Sequence, residues 1–201
     1  MNTQAERAAQ KKYRKALEKC LDDLAYAKAY IPLYNEITVQ KDTYRHFNCF
    51  YFSAVAVFND LITRSCRVLD KHKDAVGFWY LFKCEGPKIL DLLSERQISI
   101  KDICSLAEKL KKVRDKVHFH HDKARIINPD QAWKEADIKW DVFCQTLGEI
   151  FVLLVSLYEQ DFDDIYRIDD YRAHEVKLVY DACKASGNFK KIFMPCIRHD
   201  D

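Results

Sequence analysis

The chain has 201 residues, a length that fits one domain or one domain with a long appendage. Its 33 lysines and arginines nearly balance 31 aspartates and glutamates, so the net charge of +2 creates no global field that attracts nucleic acid. The eight cysteines include no CxxC pair and no signal peptide is recognisable, so we predict a reduced cytoplasmic protein. The longest apolar run, residues 150–157, is too short to span a bilayer, and no membrane partner is expected.

The first two helices are predicted from long stretches of helix-forming residues, which the low count of four glycines and four prolines favours. One helix covers residues 4–30, and Pro32, just beyond it, should stop or kink it. A second helix covers residues 43–70 and is apolar on nearly all faces. Its one polar stripe either forms an internal hydrogen-bond network or lines a cleft. The stripe consists of Asn59, Thr63, Arg67 and Asp70.

The remaining helices are also marked by spacing and by end signals. Two short helices over residues 74–95 should be separated by a break at Gly86. Ser99, with Asp102 three residues later, predicts the start of the third long helix. The fourth long helix should bury one face that contains Trp140, Phe143, Leu147, Ile150, Leu154, Leu157 and Tyr158. No repeat and no useful alternating pattern occurs, so the sequence predicts an all-α protein.

The stretch KKVRDKVHFHHDK, residues 111–123, gathers the side chains best suited to chemistry. They are Arg114, Asp115, His118, His120, His121 and Asp122. A guanidinium group is permanently charged and can contact two phosphate oxygens at once. An imidazole group can take or give a proton near neutral pH. This pairing of residue types is suited to handling phosphate.

Helical geometry leaves the use of this stretch open. On an ideal helix His118 and His121 lie over Arg114, whereas His120 points well away from it. The same two histidines, with Asp122, would begin a metal site, but no HExxH motif and no cysteine or acidic pair completes a ligand set. A third interpretation is that the histidines lie on the surface near a helix end and interact favourably with the helix dipole.

The sequence RDKVHFHHD resembles the HEPN superfamily, and within it the group named for the abortive-infection protein AbiU. The superfamily motif is an arginine, usually followed by a polar residue, with four to six residues between that arginine and a histidine. Arg114 begins the motif, His120 matches it at a gap of five residues, and His121 matches it at a gap of six. The segment from Arg67 to Asp70, RVLD, is similar to the end of that group's second helix. The resemblance covers roughly residues 40–160.

The resemblance implies a HEPN-like bundle with four long helices plus short accessory helices. We expect a single domain over residues 1–201, made of an N-terminal helix (1–38), a core bundle (40–160) and a C-terminal helix with a tail (161–201). Members of the superfamily dimerise, with the motifs of both protomers facing one cleft. Active members are metal-independent endoribonucleases of toxin–antitoxin or abortive-infection (phage defence) systems. The expected partners are therefore RNA, a second copy of the chain and possibly an antitoxin protein, with no cofactor.

The resemblance also assigns roles to residues. Arg114 would hold the phosphate, His120 would transfer protons with His121 as the alternative, and Asp115 would orient either partner. Cleavage without a metal needs such an acid–base group and a cation for the charge that builds on phosphorus. The residues expected to contact the substrate are Lys116, Lys123, Arg67 and Asp70. The alternatives are a catalytically silent HEPN module, which binds a protein or a nucleotide, and a purely structural helical dimer.

Overall fold

The computed structural model describes residues 4–39, 48–115, 133–162 and 166, and 87% of that described part is helical. No strand occurs in these residues, so the predicted all-α fold is confirmed. The long helices are α1 (Gln4–Val39), α2 (Asn48–Leu69), α3 (Phe78–Glu95), α4 (Ile100–Arg114) and α5 (Trp140–Phe162). Helix α3 consists of two pieces that meet at Glu85, whose φ of −130° and ψ of 39° are not helical. The predicted break beside Gly86 is therefore confirmed.

The chain divides into two compact units. The first contains Met1–Lys28 and Leu61–Ile168, and the second contains Ala29–Asp60 and Asp169–Asp201. All of the side chains that form the candidate site below belong to the first unit. The expectation of one domain over residues 1–201 stays a prediction.

Helix α1 continues through Pro32 to Val39, so of the two predicted effects of this proline, a stop or a kink, the stop is wrong. Proline has no N–H, and the carbonyl of Lys28 therefore lacks its usual helical partner. The division between the two units falls directly after Lys28. Residues on both sides of the proline are nevertheless buried, Ala27 before it and Ile37 after it. Their burial offsets the local loss and allows the helix to continue.

Because the second helix is apolar on nearly all faces, it was expected to be buried nearly all round, and in the second unit this expectation is wrong. Within this unit Phe58 contacts Tyr34, with ring centroids 5.3 Å apart. Phe52, however, is 64% exposed, and Val55 is also exposed. This part of α2 therefore exposes large apolar side chains and is not buried on all sides.

Helix α5 forms the centre of the first unit, where it packs against α3 and α4. Most of its predicted buried face is confirmed, since Phe143, Leu147, Ile150, Leu154, Leu157 and Tyr158 are buried, whereas Trp140 is only half-buried. Among the described helices, α5 alone is long and apolar enough to cross a membrane by length and composition. The core helix of a soluble protein has the same properties, and the burial of this face explains the composition of α5.

The loop between α2 and α3 folds back onto the end of α2. The indole N–H of Trp79 donates to the carbonyl of Leu69 at 3.1 Å, which pairs one of the free carbonyls at the helix end. Gly77 lies so close that a Cβ atom there would be 2.6 Å from the carbonyl oxygen of Val68. Only glycine allows this approach. The contacts fix the position of Asp70, the residue that follows α2.

Helix α4 begins as the sequence predicts. The hydroxyl of Ser99 accepts the backbone N–H of Asp102 at 3.4 Å, and Ser99 has the extended backbone of an N-cap residue. At the other end of the helix Asp115 keeps helical dihedral angles. Its N–H donates to the carbonyls of Lys111 and Lys112. The motif arginine therefore lies on a regular turn of helix with a fixed starting point.

Candidate functional site

The ends of α2 and α4 meet at Arg114. Below them the thiol of Cys66 donates to the carbonyl of Leu110 at 3.7 Å. The guanidinium Nη1 of Arg114 donates to Oδ2 of Asp70 at 3.0 Å. Its Nε and Nη2 lie 3.1 and 3.0 Å from Oδ1 of Asp115. One guanidinium thus contacts two carboxylates, and we call these three residues the Arg114 cluster.

Asp70 has a second contact that fixes its position. Its Oδ1 accepts the backbone N–H of His72 at 2.9 Å, while its Oδ2 accepts from Arg114. The carboxylate is therefore held by the turn on one side and holds the arginine on the other. A carboxylate repels phosphate, so this geometry favours a positioning role for Asp70 over the direct substrate contact that the sequence predicted.

Charge and burial set the protonation states at the cluster. Burial alone lowers the pKa of Arg114, but the hydrogen bond to Asp115 and the charges of Asp70 and Asp115 raise the pKa on balance. The arginine is therefore a permanent cation. Burial raises the pKa of the Cys66 thiol to about 12, although the nearby Arg114 charge lowers it. Because a thiolate is the reactive form, Cys66 is inert at neutral pH.

Arg67, which the sequence groups with Asp70, has a different partner. Its Nε and Nη2 donate to the carboxylate of Asp23 at 3.1 and 2.6 Å. Arg64 donates to the same carboxylate at 3.0 Å. We call Asp23, Arg64 and Arg67 the Asp23 cluster. The Arg67 side chain is 48% exposed, whereas the Asp23 side chain is only 9% exposed.

A cavity of about 660 Å³ lies beside the Arg114 cluster. Its charged lining comprises the cations Lys71, Lys73, Lys111 and Arg114 and the carboxylates Asp70 and Glu108. Four positive charges against two negative ones give this small surface a net charge of +2, which equals that of the whole chain. The cavity therefore concentrates the positive charge that the overall composition hides.

Part of this lining was not predicted from the sequence. Residues 71–73 read Lys-His-Lys and directly follow the RVLD segment. The sequence feature that could have indicated this lining is the pair of lysines in the loop that follows α2 and Asp70. Its meaning depends on Trp79 and Gly77, which fold the loop back onto α2. That folding is a tertiary effect with no local sequence pattern.

Several predicted site residues lie outside the residues that the structure describes. These are Lys116, His118, His120, His121, Asp122 and Lys123. Their predicted roles, including the choice between His120 and His121, stay predictions. Among the described residues, no group of three histidine, cysteine or acidic side chains could hold a metal ion. That finding does not extend to the histidine-rich segment.

No family model matches this chain, and no curated protein or solved structure does either. The class defined by the described residues is an all-α protein with an arginine, held by two carboxylates, at the edge of a cation-lined cavity. The resemblance to the HEPN superfamily is therefore carried by the RDKVHFH motif and the RVLD segment of the sequence alone.

Proposed function

We propose that the protein is a metal-independent HEPN-type endoribonuclease of a toxin–antitoxin or abortive-infection system. The observation that supports this most is the position of Arg114. The motif arginine borders a cavity whose lining carries an excess of positive charge. A site that binds RNA and stabilises a developing phosphorane needs both a fixed cation and a wider cationic surface.

The proposed reaction is transesterification within the RNA strand. A base removes the proton of the 2′-hydroxyl, and the 2′-oxygen then attacks the adjacent phosphorus. The bond from phosphorus to the 5′-oxygen breaks, an acid protonates that oxygen, and the products carry a 2′,3′-cyclic phosphate and a 5′-hydroxyl. His120 transfers protons, a role worth ~10²–10⁴ in rate. Arg114 binds the non-bridging oxygens as their charge increases.

Substrate binding requires Arg114 to exchange a partner. Asp70 and Asp115 are 29% and 40% exposed, so neither carboxylate is sealed against the arginine. Exposed ion pairs are worth only about 0–1 kcal/mol, and a phosphate with two accessible oxygens can replace one of these carboxylates. We propose that Asp70 keeps its contact and orients Arg114, while Asp115 moves aside.

A symmetric homodimer would complete the site. One arginine and one histidine provide a single cation and a single proton carrier. Two copies that meet across a two-fold axis provide an acid, a base and two cations, and a closed contact of this kind is common in homodimers. Light scattering that gives a monomer with full nuclease activity would contradict the shared cleft.

The Arg114 cluster also supports the alternative of a catalytically silent module. A guanidinium that contacts two carboxylates is a common structural ion pair, and Arg114 links the ends of α2 and α4. In that case the cavity would bind a nucleotide or a partner without cleaving RNA. The two functions differ in one measurable property, the appearance of new RNA ends.

The test is incubation of total RNA with the purified protein in excess EDTA. We expect fragments with 2′,3′-cyclic phosphate ends. Arg114→Ala and His120→Ala should each stop their formation, whereas Arg7→Ala, an exposed control on α1, should not. If His121→Ala stops cleavage and His120→Ala does not, the other histidine is catalytic. Failure of the wild-type protein to produce such ends would favour the silent module, and a need for a divalent metal would overturn the acid–base mechanism.

A further inference from the structure

The cavity beside Arg114 has two chemically different parts. Leu69, Leu110 and Ala107, all buried side chains, contribute an apolar wall. Lys73 and Lys111 are exposed and contribute positive charge at its edge. A nucleotide has the same division, because its ribose and base present apolar faces while its phosphate is an anion. At about 660 Å³ the cavity falls within the size range of small-ligand sites.

The cations of the cavity differ in their availability. Lys71 is paired with Glu108 at 3.1 Å and lies 5.1 Å from the centroid of the Trp79 ring. Lys73 and Lys111 make no ion pair with any residue that the structure describes. A phosphate that binds these two lysines displaces no carboxylate, in contrast to a phosphate that binds Arg114. The lysines therefore offer the less costly contact of the two.

His72 adds a hydrogen-bond donor to the same cavity. Its Nδ1 accepts the backbone N–H of Asp74 at 3.3 Å, which places the proton of the neutral ring on Nε2. The backbone of His72 is joined to Arg114 through the carboxylate of Asp70. The loop that contributes His72 is therefore tied to the proposed scissile position.

We propose that this cavity binds the phosphate next to the scissile one in an RNA strand, with Lys73 and Lys111 as its cationic ligands. The inference rests on the proposed function, in which Arg114 holds the scissile phosphate. Lys111 and Arg114 are one turn apart on α4, so their Cβ atoms are separated by about 5–6 Å. That distance is comparable with the spacing of consecutive phosphates in a strand. The apolar wall would then contact the nucleoside between the two phosphates.

The test measures binding separately from cleavage. The probe is a 2′-O-methyl RNA hexanucleotide, which has no attacking hydroxyl, and its binding is followed by fluorescence anisotropy over a range of salt concentrations. The variant Lys73→Ala/Lys111→Ala should bind roughly tenfold more weakly, because it loses two charge-assisted contacts. The slope of log affinity against log salt should become shallower by about 1.4, or about 0.7 for each lost phosphate contact.

The matched control is Lys83→Ala/Lys112→Ala. Both lysines are exposed and neither lines the cavity, and Lys112 is the chain neighbour of Lys111. The control removes the same charge, so it should bind within about twofold of the wild type if position matters more than net charge. Far-UV circular dichroism should be unchanged in both variants, since all four side chains are exposed.

The outcomes separate this inference from the proposed function. Equal loss of affinity in both double variants, or no loss in either, would overturn the cavity site and leave ribonuclease activity intact. Binding that depends on Lys73 and Lys111 in a protein that cleaves no RNA would support the cavity site and contradict the proposed ribonuclease activity. Adenosine 5′-monophosphate is the comparison ligand. Equal affinity for it and for the hexanucleotide, with the same lysine dependence, would mark a site for a free nucleotide and overturn the assignment to a strand.

Discussion

Two arginine–carboxylate clusters lie near the end of α2, and they combine acid and base in opposite ratios. In the Asp23 cluster one carboxylate accepts hydrogen bonds from the guanidinium groups of Arg64 and Arg67. In the Arg114 cluster one guanidinium donates to two carboxylates. The first cluster has a net charge of +1 and the second has a net charge of −1.

The clusters also differ in burial. The Asp23 side chain is 9% exposed and needs its cations, because an unpaired buried charge is costly. Arg64 is also packed over the ring of Tyr26, 4.1 Å from the centroid. The carboxylates of the Arg114 cluster are several times more exposed, and a cavity lies beside them. The carboxylate of the Asp23 cluster is thus closed to a ligand, whereas those of the Arg114 cluster are open to replacement, as the proposed function requires.

The largest effect should appear when the loss of an arginine from one cluster is compared with the loss of an arginine from the other. Arg114→Ala should reduce RNA cleavage by about 10²–10³, the usual loss when a group that stabilises transition-state charge is removed. Its cost in stability should be about 1 kcal/mol or less, because the ion pairs are partly exposed. Arg64→Ala should do the reverse and destabilise the protein while cleavage at low temperature is kept. The measurements are the RNA cleavage rates of both variants and their unfolding in urea.

The comparison fails if both substitutions have the same effect. A fully folded Arg64→Ala protein without activity would place the Asp23 cluster in the functional site. Arg64→Lys keeps the charge but loses the planar contact with Tyr26, so it should be intermediate in stability and unchanged in cleavage.

The second effect concerns the buried carboxylate itself. Asp23→Ala removes the buried carboxylate that Arg64 and Arg67 share, and we expect a loss of about 3 kcal/mol in the free energy of unfolding. For a chain of this size that corresponds to a fall of roughly 6–12 °C in melting temperature. Asp91→Ala on α3 is the control, since Asp91 is exposed. A change for Asp23→Ala within about 0.5 kcal/mol of the control would show that the cluster does not stabilise the fold.

The sequence predicted features that depend on neighbours along the chain. The start of α4 at Ser99 follows from a cap residue and a carboxylate three positions later, and the buried face of α5 follows from helical spacing. Of the two effects predicted for Pro32, the stop was wrong, because a local rule does not include the burial of Ala27 and Ile37. Local signals therefore locate helices well but do not show when packing overrides them.

The candidate site was predictable only in part, because its contacts join distant residues. Arg67 and its partner Asp23 are 44 positions apart, and so are Arg114 and Asp70. The polar stripe on α2 was expected either to form a network or to line a cleft, and its last two members differ. Arg67 belongs to a hydrogen-bonded network, while Asp70 lines the cavity. No pattern in one helix could distinguish them.

The third effect tests the positioning role of Asp70. In Asp70→Asn the side-chain oxygen can still accept the N–H of His72, but the amide cannot replace the carboxylate toward Arg114. We expect kcat for RNA cleavage to fall about tenfold through a misoriented arginine, with little change in KM. A rise in KM with kcat unchanged would instead identify Asp70 as a substrate contact.

The smallest effect uses the buried thiol beneath Arg114 as a probe of that cation. Burial raises the pKa of Cys66 to about 12, so the thiol of the unfolded chain loses its proton first as the pH rises. Stability is therefore full below the unfolded pKa and decreases as the pH rises toward the folded pKa, by about 1 kcal/mol between roughly pH 8.5 and 9.5. Cys66→Ala should remove this share of the pH dependence, whereas Cys84→Ala, at an exposed thiol, should not.

The effect of Arg114 on this titration connects the thiol with the cluster. The arginine charge lowers the pKa of Cys66, against the larger effect of burial. In Arg114→Ala the folded pKa should rise further, so the pH window over which stability is lost should extend to higher pH. Urea unfolding at several alkaline pH values, with and without Cys66→Ala, measures that extension. An unchanged window would mean that Asp70 and Asp115 already cancel the effect of the guanidinium charge on Cys66. The cluster would then hold its carboxylates more tightly than an exchangeable site should.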